Sequence, residues 1–374
     1  LEDIGDQKWE YAHRLFQCVV AASRPLRVEE LAEFLAFDFD FETSSTPTLL
    51  ADWRPEDPEN TVISTCSSLL AVVNVDGSLV IQFAHFSVKE YLTSARLAKA
   101  KDTTISRFHV PMTMAHTVVA QACLGVLLHL DKDVKRWNLT GFPLAKYAAK
   151  HWMDHARFEN VSSHVQDGMK RLFDPRKHHF SVWVSIDDPF VRSCEPFSAP
   201  KTGKSTPLHY AAFIGLHDVA AFLIDERLQD INASDHRGER PLHAASREGH
   251  GVVAQLLLEN GADVTAENEY ERTPLHLASM YGRVEVTLVL LKHGAEVNTK
   301  DWHRQSSTRP TVPGRVVCSL SGPRQMKVST TITRSTPLML ALRGKYGNLA
   351  RVLLEHGADR SIHTEVHRYS RFAD

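Results

Sequence analysis

Apolar residues recur at helical spacing near the start of the chain. In "KWEYAHRLFQCVVAAS" (8–23) they fall at Tyr11, Leu15, Phe16, Val19 and Val20, one face of a helix. "RVEELAEFLAF" (27–37) gives a second amphipathic helix after Pro25. A polar stretch with several prolines, 44–60, precedes "VISTCSSLLAVV", a third helix running into a strand. "LLAVVNVDGSLVIQF" is apolar on both sides of Asp76-Gly77, which predicts a β-hairpin turning there. "FAHFSVKEYLTS" starts another helix, with Ser87 expected as its N-cap.

The second half of the chain has a longer period. "TPLHYAAFIG" starts at Thr206, "RPLHAASREG" at Arg240, "TPLHLASMYG" at Thr273 and "TPLMLALRGK" at Thr336. The first three starts lie 34 and 33 residues apart, and the fourth 63 further on. Each is followed by an apolar helical run. Gly261, Gly294 and Gly357 stand just past three of those runs, where a left-handed C-cap favours glycine. Pro207, Pro241, Pro274 and Pro337 suit a first helical turn, whose N–H has no partner in any case. Each unit reads as turn, short helix, turn, longer helix. One such unit cannot bury its apolar face alone, but stacked neighbours can.

These four copies resemble the ankyrin repeat, with its TPLHxAA start, glycine, second helix and GADVN ending. The first copy departs by ending "DERLQDIN" without a C-cap glycine. Glu271 and Arg304 replace the hairpin glycine seen at Gly238. In the fourth copy Met339 replaces the His and Lys345 the Gly, so less regular packing is expected there.

Removing 305–334 from the long step restores a spacing of 33, with Asp301 to Arg304 joined to Ser335-Thr336. The removed stretch has ten Ser/Thr, five Lys/Arg and no acid, a composition unlike its surroundings. Two readings stand side by side: a disordered hairpin insertion, at little extra closure entropy, or a translated intron.

Gly203-Lys204-Ser205 ends like a phosphate-binding loop, but that loop needs glycine at position 198, where Ser stands. "CEPFSAP" before it is a poor strand. The stretch reads as a linker into the first repeat.

Helix, helix, helix, hairpin is the order of a winged helix. A DNA-reading wing would carry Lys or Arg, yet "NVDGS" carries Asp76 and no cation. "RLFQCVVAASRPLRVEELAEFLAFDFD", "STCSSLLAVV" and "FAHFSVKEYL" resemble the winged-helix segment that follows the ATPase in fungal NACHT–ankyrin proteins, members of the STAND NTPases. The likeness continues through 115–130, 142–162 and 169–189. It implies a winged helix that contacts an upstream ATPase and helps hold its off state, and repeats that sense a ligand. His85 corresponds to a family histidine that reads a nucleotide phosphate; from its own position it reads as a core or helix-start residue. Any nucleotide-binding loop would lie upstream of Leu1, and the opening "LEDIGDQKWE" reads as the middle of a longer protein.

Composition narrows the classes further. A net charge of −2 gives no general attraction to nucleic acid or anionic membrane. Five scattered cysteines without a CxxC pair suggest reduced thiols in an intracellular, cytoplasmic setting. No apolar run reads as approaching the roughly 20 residues of a membrane span, and no signal peptide is visible.

Among 21 histidines, His151 and His155 have the i,i+4 spacing of a helical zinc pair. A zinc protease needs Glu at 152, where Trp stands, and Asp154 lies on the wrong face. His209, His243 and His276 recur once per repeat, which marks them as structural; in ankyrin repeats this His hydrogen-bonds neighbouring loops. Asp187-Asp188 before Pro189 reads as a turn. No nucleophile–base pair emerges, so the chain reads as non-catalytic, with no cofactor or metal.

Binding remains. The expected surface comprises hairpin tips (His236, Arg237, Glu239, Glu269, Tyr270, Arg272, Trp302 and His303) and the first-helix face (Phe213, Ile214, Arg247, Glu248, Met280 and Tyr281). Aromatic and Arg side chains favour interface hot spots, and Trp302 is the strongest single candidate, either as an exposed anchor or as a ring packed on the adjacent hairpin. The predicted fold is mainly α: a winged helix over 1–102, a helical connector over 103–203, four ankyrin repeats forming an α-solenoid over 204–363 with a disordered insertion at 305–334, and a tail at 364–374. The expected function is protein–protein interaction and regulation within a NACHT–ankyrin receptor, the partners being a protein ligand and the upstream ATPase in cis. The alternative is a stand-alone ankyrin scaffold. A third class, a winged-helix DNA regulator, would show salt-dependent duplex binding.

Overall fold

The computed structural model describes residues 9–39, 46–66, 69–134, 137–190, 205–306, 329–360 and 366–370. They form two compact units, divided at Ala199–Pro200.

The first unit opens with helix α1 (Trp9–Ala21), strand β1 (Leu26–Arg27) and helix α2 (Val28–Glu33). A small pair, β2 (Phe37–Asp38) with β3 (Thr48–Leu49), follows, then α3 (Pro58–Cys66), β4 (Leu70–Val75) and β5 (Ser78–Phe83). The main sheet is antiparallel in the order β1-β5-β4, Leu26 facing Ile81 and Val72 facing Ile81 from the other side. This is the winged-helix arrangement. Asp76 and Gly77 take φ of 50° and 81°, a pair of left-handed turn residues that twists with the hairpin. Asn74 Oδ1 accepts the Gly77 N–H at 3.0 Å. Strand β1 was not legible, because two residues carry no alternation.

Helix α4 (Phe86–Leu92) is capped by His85, whose Nδ1 accepts the Ser87 N–H at 3.2 Å. Ser87, the expected N-cap, is instead inside the first turn. His85 is exposed, so of its two readings it is a helix-start residue and not a core one.

Helices α5 (Ala95–Ala98) and α6 (Thr103–Ser106) lead to α7 (Met112–His129), α8 (Ala145–Ala156), α9 (Ser162–Phe173) and α10 (His179–Ile186). The polypeptide does not separate at 102–103. His13 Nε2 bonds the His109 carbonyl at 3.0 Å, and the Tyr147 hydroxyl accepts the Ser23 N–H at 3.1 Å. Glu33, 2% exposed, accepts the Leu144 N–H at 2.6 Å at the start of α8 and pairs with Arg54. A carboxylate there meets the positive end of the helix. Glu30, fully buried, receives Arg24 at 2.7 Å and Arg27 at 3.0 Å. Burial pushes the Glu30 carboxyl up, and Arg24 and Arg27 more than offset it, so it stays below the usual range.

Helix α7 is long and apolar enough to cross a membrane by length and composition, contrary to the sequence expectation. Most of it is buried against α1, α8 and α9. Cys18, Cys66 and Cys123 are buried free thiols; Cys194 and Cys318 lie outside the described residues. So do Gly203 and Lys204.

The second unit contains four helix pairs: α11 (Pro207–Ile214) with α12 (His217–Asp225), α13 (Pro241–Glu248) with α14 (Gly251–Glu259), α15 (Pro274–Met280) with α16 (Val284–Lys292), and α17 (Pro337–Arg343) with α18 (Gly347–Glu355). First helices pack on first helices and second on second. Every predicted proline is in the first turn.

A histidine ladder joins successive repeats within the second unit. In the first copy Thr206 N–H donates to His209 Nδ1 at 3.1 Å, so the ring proton is on Nε2, which donates to the Glu239 carbonyl at 3.0 Å. His243 repeats this toward Arg272 O at 3.0 Å, and His276 toward Thr299 O at 3.1 Å. Burial lowers the pKa of all three and keeps them neutral, His276 to about 4. The periodic His is thus structural. Met339 makes no such bond.

A second ladder lies on the glycines after the first helices. A Cβ at Gly215 would meet His250 at 2.5 Å, one at Gly249 would meet Arg283 at 2.8 Å, and one at Gly282 would meet the Tyr346 ring at 2.7 Å. All three glycines have positive φ. In the fourth unit Lys345 takes that left-handed position, with φ of 62°.

The third and fourth units stack as the others do. Asn232 binds Gly261 O and Asp263 N, and Asn298 binds Gly357 O and Asp359 N in the same way. The sequence separations are 29 and 31 against 59 and 61, a difference of 30 residues in both. The extra residues leave and re-enter at the hairpin. Strands β6 (His303–Ser306) and β7 (Ser329–Thr333) pair antiparallel, and β8 (Val366–Ser370) adds to β7. The expected disorder therefore does not hold for the described ends of 305–334, and part of the tail is strand; 307–328 lie outside the described residues.

Candidate functional site

The hairpins and first helices of the repeats form the candidate surface. Each hairpin is closed by an acid or amide at its base. Asp235 Oδ1 accepts the N–H groups of Arg237 at 2.8 Å and Glu239 at 2.9 Å. Asn268 Oδ1 does the same for Tyr270 and Arg272, at 2.9 and 3.1 Å. Successive tips are tied by Glu269 N–H to Arg237 O and Trp302 N–H to Tyr270 O, both 2.8 Å. The tips therefore form one continuous edge.

Several expected contact residues are not accessible. Glu239 is 6% exposed and forms an ion pair with Arg247, while Asn268 Nδ2 donates to it at 3.3 Å. Burial pushes its carboxyl up, and the Arg247 guanidinium beside it outweighs that and holds it below the usual range. Arg272 Nε donates to Asp301 Oδ2 at 3.0 Å, and Asp301 is fully buried. Its guanidinium also lies 5.4 Å from the Tyr270 ring centre, a cation–π contact. Glu239, Arg247 and Arg272 thus hold the hairpins to the helices. Phe213 and Ile214 are buried as well. A charged residue at a predicted tip reads as solvated; its partner, one repeat or two turns away, is invisible in local sequence.

Glu269 and Tyr281 are exposed, and His236, Arg237, Tyr270, Met280 and Trp302 are half-buried. Trp302, for which both an exposed and a packed position were open, is half-buried. Glu248 is half-buried. The backbone of His303 lies in β6; its side chain is outside the described part.

A cavity of about 330 Å³ opens on this face between the third and fourth units. Arg272, Met280, Asp301, Ser335, Leu340 and Arg343 line it. Of these, Asp301, Ser335, Leu340 and Arg343 were not singled out from the sequence. With the 30 residues set aside Ser335 and Arg343 align with Glu239 and Arg247, but residue type alone does not show that they line one cavity.

The zinc-like pair is engaged in other contacts. His155 is fully buried, with His116 Nδ1 at 3.0 Å on one ring nitrogen and the Tyr147 hydroxyl at 2.8 Å on the other. Burial, and then His116, drive its pKa down to about 3. His151 bonds Asp154 at 2.9 Å. No group of three or more metal-ligating side chains comes together among the described residues. Asp188 Oδ1 accepts the Phe190 N–H at 2.9 Å, a local turn contact.

Residues 4–105 match the family described as "GPI inositol-deacylase, winged helix domain". Residues 188–268 and 208–301 match "Ankyrin repeats (3 copies)", and 334–365 match "Ankyrin repeat". The chain thus carries segments similar to ankyrin repeats and to a winged-helix domain of the GPI inositol-deacylase type. It is 31% identical over 255 residues to "Azaphilone pigments biosynthesis cluster protein L" of Monascus ruber, across 63% of this chain and 52% of that protein. The chain thus spans about half the length of this curated relative. Both matched domain types serve interaction and regulation and are not catalytic domains.

Proposed function

We propose that this chain is the non-catalytic regulatory portion of a NACHT–ankyrin signalling receptor of the STAND class, acting in the cytoplasm. The repeats sense a protein ligand, and the winged helix with its connector regulates an upstream ATPase. The observation that carries this reading is the order of domains: a winged helix tied to the following helices through Glu33 and Tyr147, then a repeat stack with an accessible hairpin edge. Contacts of this kind would let a displacement of the connector reach the winged helix. Ligand binding drives such a switch only when the ligand prefers the open state.

The test is association of the 374-residue chain with the separately expressed ATPase module of its locus, with and without the ligand. Weakened association in the presence of ligand is expected. Equal association under both conditions would sink the switch, and absence of any such module from full-length transcripts would leave a stand-alone scaffold.

A further inference from the structure

Two positions recur in register along the repeat stack. The residue before the Thr-Pro-Leu or Arg-Pro-Leu start is Glu239 in the second unit, Arg272 in the third and Ser335 in the fourth. Near the end of the first helix stand Arg247, Met280 and Arg343 at equivalent positions. In the second unit these two positions meet as the Glu239–Arg247 ion pair. The fourth unit keeps the arginine and has serine in place of the carboxylate.

The space left by that exchange is the cavity of about 330 Å³. Ser335 is 1% exposed, lines the cavity, and its Oγ has no hydrogen-bond partner. A buried hydroxyl without a partner is costly; Ser246, Ser279 and Thr287 are in the same state elsewhere in the repeats, but Ser335 is the one that lines the cavity. Arg343 is exposed, and the ion pairs among the described residues leave it without a carboxylate. Asp301, the only acid on the cavity wall among the described residues, already holds Arg272 at 3.0 Å. Among the described residues the remaining charge of the lining is therefore that of Arg343. Met280 and Leu340 supply apolar wall.

We propose that this cavity receives the carboxylate of an acidic side chain from a partner protein. The carboxylate pairs with Arg343 and accepts the Ser335 hydroxyl proton in a hydrogen bond, while its methylene stem lies on Met280 and Leu340. The partner thereby supplies in trans what Glu239 supplies in cis two units earlier. The proposal rests on the reading of the repeats as a protein-binding surface and names the chemistry of one contact within it.

The test needs no partner. The full chain is titrated with N-acetylglutamate N-methylamide, and the arginine Nε–H resonances are followed by NMR. A saturable shift at Arg343 is expected, with a dissociation constant on the order of 10 mM for one charge-assisted contact. The glutamine analogue should bind at least about tenfold more weakly, because it loses the charge. Arg343→Gln should abolish the shifts of neighbouring backbone amides. Ser335→Glu should also abolish binding, by rebuilding the internal pair, while raising the melting temperature by about 2–4 °C. Equal binding of the two analogues, no saturable shift, or unchanged binding in Arg343→Gln would overturn the proposal. A partner that binds wild type and Arg343→Gln equally would overturn the pocket and leave the repeats as a binding surface.

Discussion

Ser335 donates its backbone N–H to Asp301 Oδ1 at 2.8 Å, and the Asp301 N–H returns a bond to the Ser335 carbonyl at 3.0 Å. Asp235 and Glu239 make the same two bonds, at 2.9 Å each, across four positions instead of thirty-four. The hairpin closes at its base whatever is inserted at its tip. Deleting Gln305–Arg334 should therefore leave a cooperatively folded repeat stack, with the melting temperature changed by no more than about 2–4 °C. Circular dichroism during heating reads this; loss of the cooperative transition would contradict it.

Asp301 itself carries more than a turn. It is fully buried, accepts the Ser335 N–H and holds Arg272. Asp301→Ala leaves a largely covered guanidinium without its counter-charge and should cost about 3–5 kcal/mol. Asp301→Asn keeps an acceptor and should cost less. Urea unfolding of the two variants gives the comparison.

The histidine ladder makes stability depend on pH. His276 has a pKa of about 4 in the folded chain against an ordinary 6.5. As pH falls, the unfolded chain takes up the proton first. The contribution of the neutral ring is complete above about 6.5 and is lost as pH drops toward 4, up to roughly 3 kcal/mol for this one group. Unfolding free energies across that window should fall on acidification, and His276→Gln should flatten the slope by about one proton.

Two glycines of the third unit separate backbone strain from crowding. Gly282 and Gly294 have φ of 71° and 85°. A Cβ at Gly294 meets nothing, whereas one at Gly282 meets Tyr346. Gly294→Ala should cost about 1–2 kcal/mol, the left-handed penalty alone. Gly282→Ala should cost a further 1–3 kcal/mol or so from overpacking. Equal losses would show that the ring moves aside freely.

In the first unit, Tyr147 links Ser23 to His155. Tyr147→Phe leaves the Ser23 N–H and the His155 ring without that partner and should cost about 1–3 kcal/mol. Thermal unfolding of the full chain, followed through the first unit's buried Trp152 and Trp183, reads it.

Much of the fold was legible because it rests on local rules. The repeat starts, the Asp76-Gly77 turn and the prolines of the first turns follow from backbone geometry. Strand β1 escaped because two residues show no period, and Ser87 was misjudged because a histidine ring nitrogen caps as well as a hydroxyl. The site was less legible. Glu239 and Arg272 look solvated by residue type, and only the stack shows their partners. Ser335 is informative only against Glu239, once both are seen to be buried beside the same arginine position.

The two ladders also decide which units are exchangeable. The second and third each offer a histidine forward and a left-handed glycine on which the next unit rests. Swapping their order would preserve the histidine and glycine joints, though not the Arg272–Asp301 pair or the Asn298 contacts. The fourth offers Met339 and Lys345 instead, so moved inward it would present a joint its neighbour does not fit. Like letters in a word that has only one legal final form, the units share an alphabet but not a grammar.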